Sequence, residues 1–160
     1  MTTIVVLSDS HGNRRDIEKL FPVMEESDII IHLGDTSQDG SFIRSKFPQN
    51  TYILNGNCDL MKSGENEIVL EVEGVKILAC HGHLYSVKGT PQKLVNRAKE
   101  LGCAVALYGH THSASEMEID GVLTINPGTM SRYSNRSYCY LVINGNKPVS
   151  KIVYCSERNL

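Results

Sequence analysis

Apolar and polar positions fall in blocks along the chain. Ile4 to Leu7 is an unbroken apolar run, closed by Ser8-Asp9-Ser10-His11-Gly12-Asn13. Such a run suits a strand buried on both faces. Ile17, Leu20, Phe21 and Met24 then recur at helical spacing, with Pro22 placed to kink or split the helix. Asp28 to Leu33 predicts a second buried strand ending at Gly34-Asp35, and Ser41 to Lys46 a short helix. Thr51 to Leu54 predicts a third strand, ending at Asn55-Gly56-Asn57-Cys58-Asp59.

The texture changes after that. Glu67 to Glu73 alternates, and Gly74 leads into Val75 to Cys80, which reads as an antiparallel pair around a tight turn. Thr90-Pro91 and Gly102 bracket a helix over Pro91 to Leu101, with Thr90 as its cap. Ala104 to Tyr108 predicts a strand ending at Gly109-His110-Thr111-His112, and Asp120-Gly121 and Asn144-Gly145 mark two further hairpins. The first half is therefore β-α-β-α-β and the second mostly antiparallel β with one helix. Two β-sheets packed face to face and flanked by helices, an αββα sandwich, satisfy both halves as one α/β domain over residues 1–160.

Composition narrows the function. The chain has 160 residues, 41% hydrophobic, with a formal net charge of -2. That balance disfavours stable nucleic-acid binding or an anionic membrane partner, and no apolar run reaches the roughly 18 residues of a spanning helix. The start carries no basic region of the secretory kind. The 5 cysteines are odd in number and form no Cys-x-x-Cys pair, so a reduced, cytoplasmic setting is expected and most of them read as small buried residues.

The 6 histidines are clustered, and most fall just after predicted strands, where α/β sheets build their sites. Strand ends carry Asp9 with His11, Asp35, Asn57, His81, and His110 with His112. Carboxylate, imidazole and amide oxygen suit Mn, Fe, Zn or Ni. A single ion rarely uses seven such groups, whereas two ions sharing a carboxylate use them well. Singly, each residue also has an ordinary reading, Asp9 as a turn former and Asn57 as a left-handed residue beside Gly56. His32, inside an apolar strand, reads as a buried hydrogen-bonded residue.

Asp9-Ser10-His11, Gly34-Asp35, Gly56-Asn57-Cys58-Asp59, His81-Gly82-His83 and Gly109-His110-Thr111-His112 together resemble the five motifs of the calcineurin-like metallophosphoesterases. Gly-Asn-Cys-Asp and His-Gly-His resemble in particular the small YfcE-type phosphodiesterases, and Asn126-Pro127-Gly128-Thr129 resembles a further element of the family. The resemblance implies a phosphoric ester hydrolase holding two divalent ions, with Mn first and Zn, Fe or Ni as alternatives. It implies Asp9, His11, Asp35 and His112 on one ion and Asp35, Asn57, His81 and His110 on the other. Asp35 then bridges, and a hydroxide between the ions attacks phosphorus in line. Cys58 stands where larger relatives carry a histidine that assists the leaving group, which leaves Asp59, His83 or metal-bound water as the acid and points to diesters over difficult monoesters.

The implied partner is a small-molecule phosphoester, with a homodimer or homotetramer expected from relatives. A protein-interaction scaffold resembling the retromer subunit Vps29, or a phosphomonoesterase, is the alternative. The chain leaves no room for the capping domain of related nucleases. No Tyr follows Gly34-Asp35 closely, so the iron site of purple acid phosphatases is not expected. Asn13, Arg132 and Arg136 are placed to reach a phosphate, whereas Arg14 and Arg15 read as solvated helix residues.

Overall fold

A computed structural model describes residues 1–158. In chain order the elements are β1 (Thr2–Leu7), α1 (Arg14–Glu18), α2 (Phe21–Glu25), β2 (Ile29–His32), α3 (Ser37–Lys46), β3 (Thr51–Ile53), β4 (Glu67–Val72), β5 (Val75–Cys80), α4 (Gln92–Glu100), β6 (Val105–Leu107), β7 (Ser115–Ile119), β8 (Val122–Asn126), β9 (Ser137–Asn144) and β10 (Lys147–Tyr154). One sheet runs β10-β9-β1-β2-β3 and the other β4-β5-β6-β8-β7. Among the described residues, no helix is long and apolar enough to cross a membrane.

Three apolar layers hold the sandwich. Ile4, Val6, Ile31 and Leu33 meet Ile77, Ala79, Val105 and Leu107 between the sheets. The other face of β1 and β2, through Val5, Leu7 and Ile30, packs on Ile17, Met24 and Ile43 of the helices and on Leu20 between α1 and α2. Leu78 and Ala106 of the second sheet pack on Leu94, Val95 and Ala98 of α4. This double burial explains why β1 and β2 are apolar at consecutive positions rather than alternating.

β9 pairs antiparallel with β1 and carries β10 into the first sheet, so the first sheet draws strands from both halves of the chain. Two sequence expectations need correction. α3 begins at Ser37, four residues before Ser41, despite the poor helix formers Ser37, Asp39 and Gly40. Tertiary contacts override propensity there. The Ser37 N–H donates to the Asp59 carboxylate at 2.7 Å, and a side chain at Gly40 would press into Ile53. α4 begins at Gln92, with Pro91 rather than Thr90 at its cap position and no side-chain cap bond.

The rest follows the pattern closely. Pro22 splits the first helix and sits in the opening turn of α2, where its missing N–H costs nothing. The Glu73-Gly74 and Asp120-Gly121 turns are two-residue hairpins with both residues left-handed. The last turn falls at Gly145-Asn146, one residue later than expected, since Asn144 still pairs with Lys147.

Candidate metal centre

The carboxyl ends of β1, β2, β3, β5 and β6 deliver seven donor side chains to one place. Asp9, His11 and His112 form one group and Asp35, His81 and His110 another, with the ligand atoms of each group within 4.8 Å of one another. Asn57 joins the second group, its Oδ1 lying 3.0 Å from His81 Nε2.

Their backbone is strained. Asp9, His11, Asp35, His110 and His112 have φ of 53°, 46°, 47°, 70° and 64°. They make up five of the nine described non-glycine residues in this region, and Glu73 and Asp120 of the rest are hairpin turns. A residue held there costs on the order of 1–3 kcal/mol and persists only where its surroundings over-determine it.

The surrounding bonds supply that constraint. Asp9 Oδ2 accepts from the Ser8 hydroxyl at 2.6 Å and from the His110 N–H at 3.0 Å. Thr129 Oγ1 donates to the Asp9 carbonyl at 2.8 Å, and Asn126 Nδ2 donates to the Gly109 carbonyl at 3.1 Å. The Asn126-Pro127-Gly128-Thr129 element thus buttresses two of the strand ends. The turn that follows His81 is tied down by the Tyr85 hydroxyl, which donates to Glu67, itself paired with Arg97 Nη2 at 3.0 Å.

The donor atoms point at one another in a way that calls for a cation. His81 Nδ1–H donates to the Leu33 carbonyl at 2.9 Å, which leaves Nε2 unprotonated in the neutral ring. That Nε2 faces two oxygens, Asn57 Oδ1 at 3.0 Å and Asp35 Oδ2 at 3.3 Å. His11 Nε2 and His112 Nε2 face each other at 3.4 Å. Asp9 Oδ1 is fully buried with no hydrogen-bond partner, 3.2 Å from His112 Nε2 and 3.8 Å from His81 Nε2. An orphaned buried carboxylate oxygen is costly, and lone pairs converging on a shared space fit divalent metal.

Charge in the site follows from this crowding. Burial opposes ionisation of Asp35, yet the His81 ring and the Cys58 N–H, which donates to its Oδ1 at 2.9 Å, hold its carboxyl well below the usual range. Burial also works against a charge on His81, but Asp35 and Asp9 raise it overall. Burial and the neighbouring His81 lower His83. Burial and the Asp35 charge push the Cys58 thiol up.

Residues outside the two groups divide clearly. The His83 ring lies 5.4 Å from that of His81 and 6.2 Å from that of His110, beside the centre. Asp59, one of the candidate acids, accepts backbone N–H groups on both carboxylate oxygens. One oxygen accepts the N–H groups of Asp35 at 3.1 Å and Gly56 at 2.6 Å, and the other that of Ser37. It clamps the loops that carry Asp35 and Asn57. Arg14 is not simply solvated, since it pairs with buried Asp39 at 3.2 Å. His32 is buried and hydrogen-bonded as expected. Spacing did not flag Ser8, which orients Asp9, or Asp39.

Of the three phosphate candidates, Asn13 and Arg132 line the cavity of about 260 Å³ beside His11, and Arg136 does not line it. Asn13 spends its amide on Asp16 and the Met130 carbonyl. Arg136 pairs with Asp16 at 2.6 Å. Burial opposes ionisation of Asp16, but bonds from Asn13, Arg136 and Lys19 lower it. Its folded pKa is thus below its unfolded value, so the stability it adds is present above about pH 4 and lost as pH falls through the folded pKa. Asp16→Asn is expected to flatten the acid limb of a stability–pH curve measured by urea unfolding. An unchanged limb would show that Asp16 adds no acid-sensitive stability.

Residues 2–147 match the calcineurin-like phosphoesterase superfamily domain. The chain belongs to that family. This phosphoesterase is 34% identical over 128 residues to the probable metallophosphoesterase YsnB of Bacillus subtilis, covering 79% of this chain and 74% of that protein. It is 29% identical over 149 residues to a phosphodiesterase of Methanocaldococcus jannaschii, covering 81% and 85%. The structure of a predicted phosphoesterase from Streptococcus pneumoniae superposes with a TM-score of 0.80 at 28% identity, covering 97% and 90%. Zinc-complexed Vps29 of Entamoeba histolytica superposes at 0.73 with 18% identity, covering 95% and 98%, a likeness of fold.

Proposed function

We propose that this phosphoesterase is a dinuclear metal-dependent phosphodiesterase acting on a small-molecule substrate. The observation that carries this is the Asp35 carboxylate, whose Oδ2 faces one imidazole from each donor group, His81 at 3.3 Å and His11 at 4.0 Å. In this reading Asp9, His11 and His112 hold one ion, Asn57, His81 and His110 the other, and Asp35 both. Bound divalent ions supply Lewis acidity, lowering the pKa of water toward neutrality and neutralising charge on the phosphoryl oxygens.

The protein's own part is orientation. Leu33 keeps His81 Nε2 free and aimed inward. Ser8 and the His110 N–H fix Asp9, and Arg132 stands on the cavity beside His11 to meet an anionic oxygen of the substrate. Proton delivery to the leaving oxygen is weak. Cys58 offers a thiol where larger relatives carry a histidine, and both Asp59 oxygens already accept backbone N–H groups. Diesters with good leaving groups are therefore favoured, in keeping with the phosphodiesterase name of the Methanocaldococcus relative.

Chelator-stripped protein reloaded with Mn²⁺, Zn²⁺, Fe²⁺ or Ni²⁺ and offered bis(4-nitrophenyl) phosphate and 4-nitrophenyl phosphate tests this. Hydrolysis is expected only with metal, Mn²⁺ foremost, and kcat/KM for the diester at least about tenfold higher, or ~1.4 kcal/mol. The reverse preference makes the protein a phosphomonoesterase. Fewer than one equivalent of bound metal after reloading, together with no turnover of either ester, favours a scaffold.

A further inference from the structure

Ser10, His32 and Asp39 are each fully buried, and they join in one hydrogen-bonded chain. The Gly34 N–H donates to His32 Nδ1 at 3.1 Å, so in the neutral ring the proton sits on Nε2. Nε2–H then donates to Ser10 Oγ at 2.8 Å, and the Ser10 hydroxyl donates to Asp39 Oδ2 at 2.6 Å. The same Asp39 oxygen accepts the Gly12 N–H at 2.8 Å. Its other oxygen accepts Arg14 Nε at 3.2 Å, and that guanidinium lies 5.1 Å over the Phe42 ring. All the donors run in one direction, and every polar atom of the chain is used.

The chain's place in the sequence gives it meaning. Ser10 lies between the donors Asp9 and His11, Gly12 follows His11, and Gly34 precedes Asp35. On the backbone, the Asp9 N–H donates to the Gly34 carbonyl at 2.9 Å and the His11 N–H to the Asp35 carbonyl at 3.0 Å. Asp9, His11 and Asp35 are the three left-handed donors of β1 and β2. One cluster of bonds thus holds three strained residues that serve both donor groups.

We propose that Ser10, His32 and Asp39 are positioning residues that hold Asp9, His11 and Asp35 at one spacing and thereby set both metal subsites together. This rests on the dinuclear reading above. None of the three belongs to either donor group. A network serving only the fold changes melting temperature and leaves the metal affinity of folded protein alone. A network holding the subsites changes affinity at both.

The test is calorimetric titration of chelator-stripped protein with Mn²⁺, with melting followed by circular dichroism. Ser10→Ala removes one oxygen and leaves His32 Nε2–H and Asp39 each short of a partner. His32→Asn keeps an acceptor near Gly34, and His32→Gln keeps a donor toward Ser10, so each preserves half of the chain. Wild type is expected to take up two equivalents. Each folded variant is expected to bind both about 10–100-fold more weakly. His32→Gln gives the answer if Ser10→Ala does not fold. Wild-type affinity in the folded variants overturns the proposal, as does weakening at one equivalent alone. Wild-type protein that takes up no Mn²⁺ overturns the dinuclear reading and this proposal with it.

Discussion

Asp35→Asn lowers kcat for the activated diester by at least about 10²–10³-fold, or ~2.7–4 kcal/mol, in protein that still folds. The substitution keeps the size of the side chain. Its carbonyl oxygen can still accept the Cys58 N–H, which Asp35 Oδ1 accepts at 2.9 Å. What it loses is the charge and the second lone-pair oxygen that faces His81 and His11. An amide NH₂ placed there offers protons where the site needs electron pairs, so it cannot be shared between two cations. Single-turnover rates of metal-loaded protein, with metal content measured on the same sample, check the result. Wild-type turnover in a folded Asp35→Asn protein would end the assignment of Asp35 as a shared ligand.

Strand ends were legible in the sequence because burial on both faces forces an unbroken apolar run, and the run stops where the side chains must turn polar. Ile4 to Leu7 followed by Asp9 and His11 is such a case, and so is Asp28 to Leu33 followed by Asp35. The meeting of His110 and His112 with residues a hundred positions earlier was legible only through the ordered motifs, since periodicity carries no long-range pairing. The return of β9 to β1 was hidden for the same reason. Asp59 stands in the sequence as a candidate acid beside Cys58, and its hold on the amides of Asp35 and Ser37 is a long-range pairing that residue order does not carry. Arg14 reads as a solvated helix residue in the sequence, since its partner Asp39 lies on another helix. Left-handed backbone at His11, His110 and His112 leaves no mark on residue type at all.

Gly56→Ala is expected to damage both the fold and the site, because the two are in contact at that residue. A Cβ at Gly56 would overlap Asp35 Oδ1 and come within 2.8 Å of the Asp35 backbone nitrogen. A flexible side-chain tip could move aside, but Asp35 Oδ1 is held by the Cys58 N–H and the Asp35 N–H is held by Asp59. The loop on the far side has no slack either, since a Cβ at Gly34 would meet the Gly56 nitrogen at 2.6 Å. Relief therefore requires the β2 and β3 loops to separate, which breaks the Asp59 clamp and carries Asp35 away from Asn57. Overpacking of this kind costs about 1–3 kcal/mol, equivalent to a melting temperature lower by roughly 2–12 °C for a chain of this length. Mn²⁺ affinity is expected to fall by about 10–100-fold at the same time. Melting by circular dichroism and Mn²⁺ titration on one preparation separate the effects. A Gly56→Ala protein that melts and binds metal like wild type would mean that the two loops are free to part, and that the tight approach of Gly34 and Gly56 does not hold Asp35 in place.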